Sequence, residues 1–221
     1  MSSSQKPFKV SKLRLTKPQR IAIVIDVLQK HFPSPSVPLD HTSPYSFLIA
    51  VLLSAQCTDA RVNIVTPNLF ALADTPEKMV LLTPETIESV IRPCGLGKVK
   101  SHAIWNLSKR LIDTFNSTVP SRLEDLETLP GVGHKTASVV VSQIFHTPAF
   151  PVDTHIHRCA KRWGLSSGKN VIQTERDLKK CFPKDLWNTL HLQIIYFARK
   201  FCPARGHNLE ECPICQKLNL L

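Results

Sequence analysis

Lys135 and Asp153 are residues of types that could do chemistry, a lysine just inside one helix start and a carboxylate at another. Lys135 ends the stretch Leu129-Pro130-Gly131-Val132-Gly133-His134-Lys135. Pro130 stops one helical pattern, and the small apolar run from Thr136 to Phe145 predicts a second, buried helix. Lys135 therefore belongs in the first turn of that second helix. Gly131 and Gly133 allow a tight turn and keep a Cβ out of the way of a close ligand. The N–H groups at the start of the helix have no helical partner and point at solvent or at an anion such as a phosphate. An uncharged lysine amine is a nucleophile that forms Schiff bases. An ordinary lysine is almost wholly charged near neutral pH. The positive end of a helix dipole and partial burial both favour the neutral amine, and Lys135 is placed to receive both. Asp153 reads as the N-cap of a helix running to Trp163. A carboxylate there can cap the helix and also stabilise a developing cation.

The elements that must hold these two residues read as nearly all helix, so the fold class is all-α. Upstream of the turn, leucines recur every three residues from Leu123 to Leu129, with Ser121 as the cap and Glu124 closing a capping box. Lys17 to Phe32 is amphipathic, with Ile21, Ile25 and Leu28 on one face. Pro33 to Pro38 is a linker. Ser43-Pro44 opens a helix through Leu53 that is apolar all round and so belongs at the centre of a core. Thr58 or Asp59 caps the next, to about Leu72. Thr75-Pro76-Glu77 and Thr83-Pro84-Glu85 are matching starts: cap, proline at the first position, acid in the first turn. Pro93 to Gly97 is a turn, followed by a helix from about Val99 to Phe115. Thr147 to Pro151 breaks the chain. Asn170 caps a helix to Cys181, and Asp185 to Cys202 forms the last long one. No convincing strand is visible.

The chain has 221 residues, 43% of them hydrophobic and 20% charged, which is a globular composition long enough to bury a core. Net charge is +11, which suggests a polyanionic partner. Residues 1–16 carry Lys6, Lys9, Lys12 and Arg14 and no acid, a flexible basic arm. No apolar run approaches a membrane span, and no apolar stretch follows the basic N-terminus as in a secretory signal. Seven cysteines, mostly inside helical patterns, read as a reducing, intracellular protein rather than a disulfide framework. His155 and His157 point to different helix faces and lack metal-ligand spacing, so they read as structural or phosphate-side groups.

Three motifs in order, Leu53-Ser54-Ala55-Gln56-Cys57-Thr58-Asp59, Leu129-Pro130-Gly131-Val132-Gly133-His134-Lys135-Thr136-Ala137 and Val152-Asp153-Thr154-His155, resemble the endonuclease III family of helix-hairpin-helix DNA glycosylases over roughly residues 20–202. The separation of Lys135 and Asp153 matches the family's catalytic pair. The resemblance implies two helical domains. A six-helix domain would span about 37–147, with the hairpin at about 121–145. The other would join 17–36 to 148–221 and end in a cysteine-containing loop. Damaged double-stranded DNA would lie across the cleft between them. It also implies base excision repair: removal of an oxidised pyrimidine from a flipped nucleotide, then nicking by β-elimination through a Schiff base on Lys135, with Asp153 assisting. Gln56 and Leu96 match the family's two insertion residues. Gly131, Val132, Gly133 and His134 match its phosphate-binding turn, although the family usually has arginine where His134 stands. The adenine-excising branch lacks the lysine and carries a glutamate in the first motif. Here Lys135 is present and Leu52 to Gln56 contains no acid, which favours the lyase branch. Two alternatives stand beside this reading: another lesion, such as an oxidised purine or a pyrimidine dimer, and a non-enzymatic DNA-binding module. A monomer away from membranes is the expected setting, intracellular in any case and in the cytoplasm or nucleoid if the source is a bacterium.

The C-terminus departs from the family. Endonuclease III usually ends in Cys-x6-Cys-x2-Cys-x5-Cys, which holds a 4Fe-4S cluster. Here the series is Cys202-x9-Cys212-x2-Cys215, and the fourth position falls on Leu221. Cys202, Cys212 and Cys215 are an incomplete ligand set, so the expectation is loss of the cluster rather than its retention. Cys181 and His207 are conceivable fourth ligands between which the spacing does not choose.

Overall fold

The helix starts are written in capping residues, and the structure, a computed structural model describing residues 15–220, follows most of them. The basic arm expected over residues 1–16 lies outside the described residues, apart from Leu15 and Thr16. Thr16 opens α1 (Lys17–His31) with a reciprocal capping box to Gln19. Ser43 caps α2 (Pro44–Leu53), and every side chain from Tyr45 to Leu53 is buried, as a helix apolar on all faces requires. Thr58, not Asp59, caps α3 (Asp59–Leu72), leaving the Asp59 carboxylate free for another partner. The Thr75 and Thr83 hydroxyls accept from backbone N–H groups at the starts of α4 (Pro76–Val80) and α5 (Pro84–Ile91). A 3-10 turn, Arg92–Cys94, leads into α6 (Gly97–Phe115), which begins two residues before the expected Val99.

The hairpin is α7 (Leu123–Glu127) and α8 (His134–Gln143). Its first helix starts later than the Ser121 capping box predicts. Arg122 occupies the cap position with no side-chain hydrogen bond, so Glu124 stands one residue too early to reach back and instead faces the Arg122 guanidinium at 3.7 Å. Then follow α9 (Thr154–Arg162), α10 (Val171–Cys181), α11 (Trp187–Lys200, after a 3-10 turn at Lys184–Leu186) and a short α12 (Pro213–Lys217) that sequence reading left out. No strand occurs among the described residues.

The helices bury two hydrophobic cores. One runs from Leu39 to Ala149 and is built on α2, with Phe47, Leu48 and Ile49 fully inaccessible beside Leu69, Met79 and Ile87. The other joins α1, through Val24, Val27 and Leu28, to the C-terminal helices around Trp163 and Phe197, whose rings meet edge-on at 5.7 Å. Burial of each such side chain contributes about 1.5–3 kcal/mol, which is why the first helix of the chain folds with the last ones. The Gln193 amide donates to the Phe32 carbonyl at 2.8 Å and fixes that return. Among the described residues no helix is long and apolar enough to cross a membrane.

Candidate active site and nucleic-acid interface

Two exposed loops and one helix start converge at the junction of the cores. The first loop follows α2 and carries Gln56 at φ 56°; the second precedes α6 and carries Leu96 at φ 53°. Neither is glycine, so both hold a left-handed conformation that costs energy and must be imposed by their surroundings. The imposing group is Lys100. Its side chain is buried on α6, and its ammonium donates to the carbonyls of Leu53 at 2.9 Å, Ala55 at 2.8 Å and Cys94 at 2.9 Å. One cation thus clamps the end of α2 beside Gln56 to the turn beside Leu96. Burial pulls the Lys100 pKa below the ordinary lysine value. Leu96 itself is half exposed and Gln56 is exposed. Sequence reading missed Lys100. The signal was a lysine in register with Ile104, Leu107 and Leu111, on the face of α6 that should be apolar.

In the hairpin, Leu129 and Val132 are buried and anchor the turn. Gly131 has φ 77°, and a Cβ added to it would lie 2.8 Å from the Ala103 Cβ and 3.1 Å from the Leu52 Cδ1. The turn therefore packs on α6 and α2 only as glycine. Gly133 is different: a Cβ there would meet nothing within 4 Å. It is the cap of α8 and makes no side-chain hydrogen bond, so nothing at that residue covers the helix N-terminus. His134 begins the helix. Its Nδ1 faces the Glu127 carboxylate at 2.6 Å and its Nε2 the Glu175 carboxylate at 3.1 Å. Desolvation opposes its charge, but the two carboxylates together outweigh it and raise its pKa. His134 thus ties the hairpin to α10, with both ring nitrogens engaged by carboxylates.

Lys135 is the second residue of α8, in the first turn, but it is exposed. The expected partial burial is absent because the side chain faces an open cleft. Asp153 caps α9, accepting from the Ile156 N–H at 2.8 Å through Oδ1 alone. The two residues come from different cores and line one cleft of about 620 Å³ with Gln56, Asp59, His155 and Arg199. Asp59 and Arg199 meet across it at 2.7 Å, joining α3 to α11. A smaller cavity of about 70 Å³ shares Lys135, Asp153, Asp59 and Arg199 and adds His191. His191 is buried with neither ring nitrogen hydrogen-bonded, and burial pushes its pKa down to about 4, so it is neutral near pH 7. Neither Arg199 nor His191 was singled out from sequence. His191 lies in an apolar stripe with Ile194 and Ala198, a weak signal at best. His155 faces the cleft, whereas the Nδ1 of His157 is 2.8 Å from the Thr174 hydroxyl, so the two do diverge.

Away from the cleft, Cys202, Cys212 and Cys215 gather with His207, one donor atom from each within 4.8 Å of every other. This four-donor group is compatible with a metal site. Cys181 is not part of it; its sulfur lies 3.7 Å from the Leu165 carbonyl.

Residues 49–184 match the family model of the HhH-GPD superfamily base excision DNA repair proteins. Endonuclease III of Bacillus subtilis is 39% identical over 197 residues, covering 89% of this chain and 90% of the relative. The Treponema pallidum endonuclease III is 41% identical, covering 94% of this chain and 100% of the relative. The chain belongs to the endonuclease III family. Its backbone is correspondingly similar to two solved members. One is a non-covalent endonuclease III–DNA complex, with a TM-score of 0.87 and 42% identity, covering 91% of this chain and 94% of that one. The other is a trapped endonuclease III–DNA covalent intermediate, with a TM-score of 0.85 and 41% identity, covering 92% and 98%. An endonuclease III fold with two helical domains accounts for the open cleft: its walls belong to different cores.

Proposed function

We propose that this endonuclease III family member excises oxidised pyrimidines from double-stranded DNA and nicks the strand at the abasic site, with Lys135 as nucleophile and Asp153 as its acidic partner. The observation that carries the reading is the convergence of these two residues, from α8 and the start of α9, on one open cleft. A stacked base cannot reach such a cleft, so the nucleotide must be flipped out. Gln56 fills the vacated space and Leu96 wedges into the opposite strand. The uncovered start of α8, with the N–H groups of Gly131, Gly133 and His134, takes a backbone phosphate, while the Val132 N–H donates to the Leu129 carbonyl at 3.1 Å and holds the turn.

The amine of Lys135 then attacks C1′. The bond from C1′ to the base nitrogen breaks, and the base leaves with the electron pair and takes up a proton. The Asp153 carboxylate stabilises the cationic sugar during this step. Loss of a proton from the nitrogen and cleavage of the C1′–O4′ bond, with O4′ taking up a proton as a hydroxyl, open the sugar ring and leave a protonated imine, which acidifies C2′. Removal of a C2′ proton and departure of the 3′ phosphate oxygen complete β-elimination and nick the strand. Water finally hydrolyses the imine and frees Lys135. The trapped covalent DNA intermediate of a 41% identical relative supports such a route.

Asp153→Asn tests the partner role. Asparagine is also a good N-cap, so the fold should persist. Excision of thymine glycol should fall about a hundredfold or more, while cleavage of a preformed abasic site should fall much less, since the base has already left. Equal losses on both substrates would contradict the assignment.

A further inference from the structure

The endonuclease III family implies a 4Fe-4S cluster at the C-terminal loop, and the residues present do not fit one. A cubane places its own irons and sulfides between the protein ligands and holds the thiolates well apart. Here the four donor atoms lie within 4.8 Å of one another. Such spacing leaves room for one ion. With Zn–S of about 2.3 Å and Zn–N of about 2.0 Å, a tetrahedral site sets sulfur and nitrogen about 3.6 Å apart. The Cys215 sulfur and the His207 Nε2 are 3.7 Å apart.

We infer that Cys202, His207, Cys212 and Cys215 bind a single tetrahedral zinc ion where the family's cluster would stand. The donor set, three thiolates and one imidazole, is a structural zinc set. The three cysteines are fully buried, so water has little access to the sulfurs. Three thiolates and a dication leave one net negative charge, and the neighbourhood answers it. The Arg162 Nη1 donates to the Cys202 sulfur at 3.0 Å. The Arg158 guanidinium donates to the Cys202 carbonyl at 2.9 and 3.2 Å and fixes the backbone of that ligand. Binding exchanges the thiol protons for the ion and releases them to solvent. The long first gap between Cys202 and Cys212 carries His207, whose imidazole supplies the fourth donor. The ion would staple the loop between α11 and α12 to the second core, on which α12 packs beside α1. It takes no part in the chemistry of the cleft.

The test is elemental analysis of the full chain, purified anaerobically from cells supplied with both iron and zinc. One zinc per chain, with iron and acid-labile sulfide near zero, is the expected result. Iron and sulfide at about four each per chain, or no bound metal, would overturn the inference. Cobalt(II) added to metal-free protein should give the visible spectrum of a tetrahedral ion with three sulfurs and one nitrogen, saturating at one per chain. His207→Ala should weaken zinc binding about tenfold or more, and His207→Cys should restore it with a four-sulfur cobalt spectrum. A wild-type cobalt spectrum that is not tetrahedral, or unchanged zinc affinity in His207→Ala, would remove His207 from the site.

Discussion

At the cleft, Lys135 and Gln56 stand exposed on a helix start and a loop, with Leu96 exposed on the loop that Lys100 ties to it; at the C-terminal loop, Cys202, Cys212 and Cys215 are wholly buried around His207. The first arrangement leaves its functional groups unsatisfied, and the second draws them inward on one another. The difference reflects what completes each region. A cleft that receives a flipped nucleotide must stay open until a large polyanion fills it, so its precision has to come from behind, from Lys100 and the glycine turn. The proposed metal loop is backed at Cys202 by Arg158 and Arg162, and the ion would join its four ligands directly. Perturbing the support should damage the cleft's geometry without touching its reactive groups, whereas at the loop the ligands themselves carry the order.

The largest effect expected from this contrast is at Lys100. Lys100→Met keeps the aliphatic bulk but leaves three buried or half-buried carbonyls without their shared donor, a loss of about 2–4 kcal/mol in stability. It should also release Gln56 and Leu96 from their left-handed conformations and depress excision on duplex DNA, although Lys100 touches no substrate. Denaturant titration and duplex-excision rates check this. A destabilised variant with unaltered excision would show that the loops hold themselves.

A smaller effect is expected at His191, buried in the wall of the smaller cavity beside the cleft. Its folded pKa of about 4 lies below the ordinary value of 6.5 because burial disfavours the charged ring. In the window between these values the unfolded chain binds the proton that the folded one refuses. The stability due to the neutral ring is therefore present above pH 6.5 and is lost as pH falls towards 4, by an amount on the order of 2–3 kcal/mol. His191→Leu should remove that acid dependence and stay folded at neutral pH, since it also removes two unpartnered nitrogens. Chemical denaturation at a series of pH values reads the outcome, and an unaltered pH profile would contradict it.

The smallest effect concerns the loops themselves. Gln56→Ala and Leu96→Ala should each slow excision of a paired base about tenfold, or ~1.4 kcal/mol, and spare cleavage of a preformed abasic site. Both side chains are exposed, so folding stability should hold. Equal losses on the two substrates would place them in the chemistry or the core instead.

What was legible from the chain follows the same division. Caps such as Ser43, Thr75, Thr83 and Asn170 act through bonds three residues away, so the helices they open could be read directly. The Gly131 turn and Lys135 lie in one contiguous motif. Lys100 escaped notice because its partners, Leu53 and Ala55, are 47 and 45 residues away, and the local signal was no more than its place on the apolar face of α6. Asp59 read as a cap because its actual partner, Arg199, is 140 residues on. Spacing alone left Cys181 and His207 equal as ligands; only the path of the loop brings His207 to the sulfurs. The burial of Lys135 was misjudged for a related reason. A helix start can be inferred from sequence, but whether a second core covers it or leaves a cleft is a long-range matter.

The central claim is that the amine of Lys135 becomes covalently joined to DNA. Borohydride reduces an imine to a stable amine, so incubation with a lesion-bearing duplex and borohydride, followed by peptide mapping, reports the attachment directly. The account predicts a stable protein–DNA adduct on Lys135. Lys135→Gln should form no adduct and no nick while binding the duplex as tightly as before. An adduct on another residue, or efficient nicking by Lys135→Gln, would contradict it.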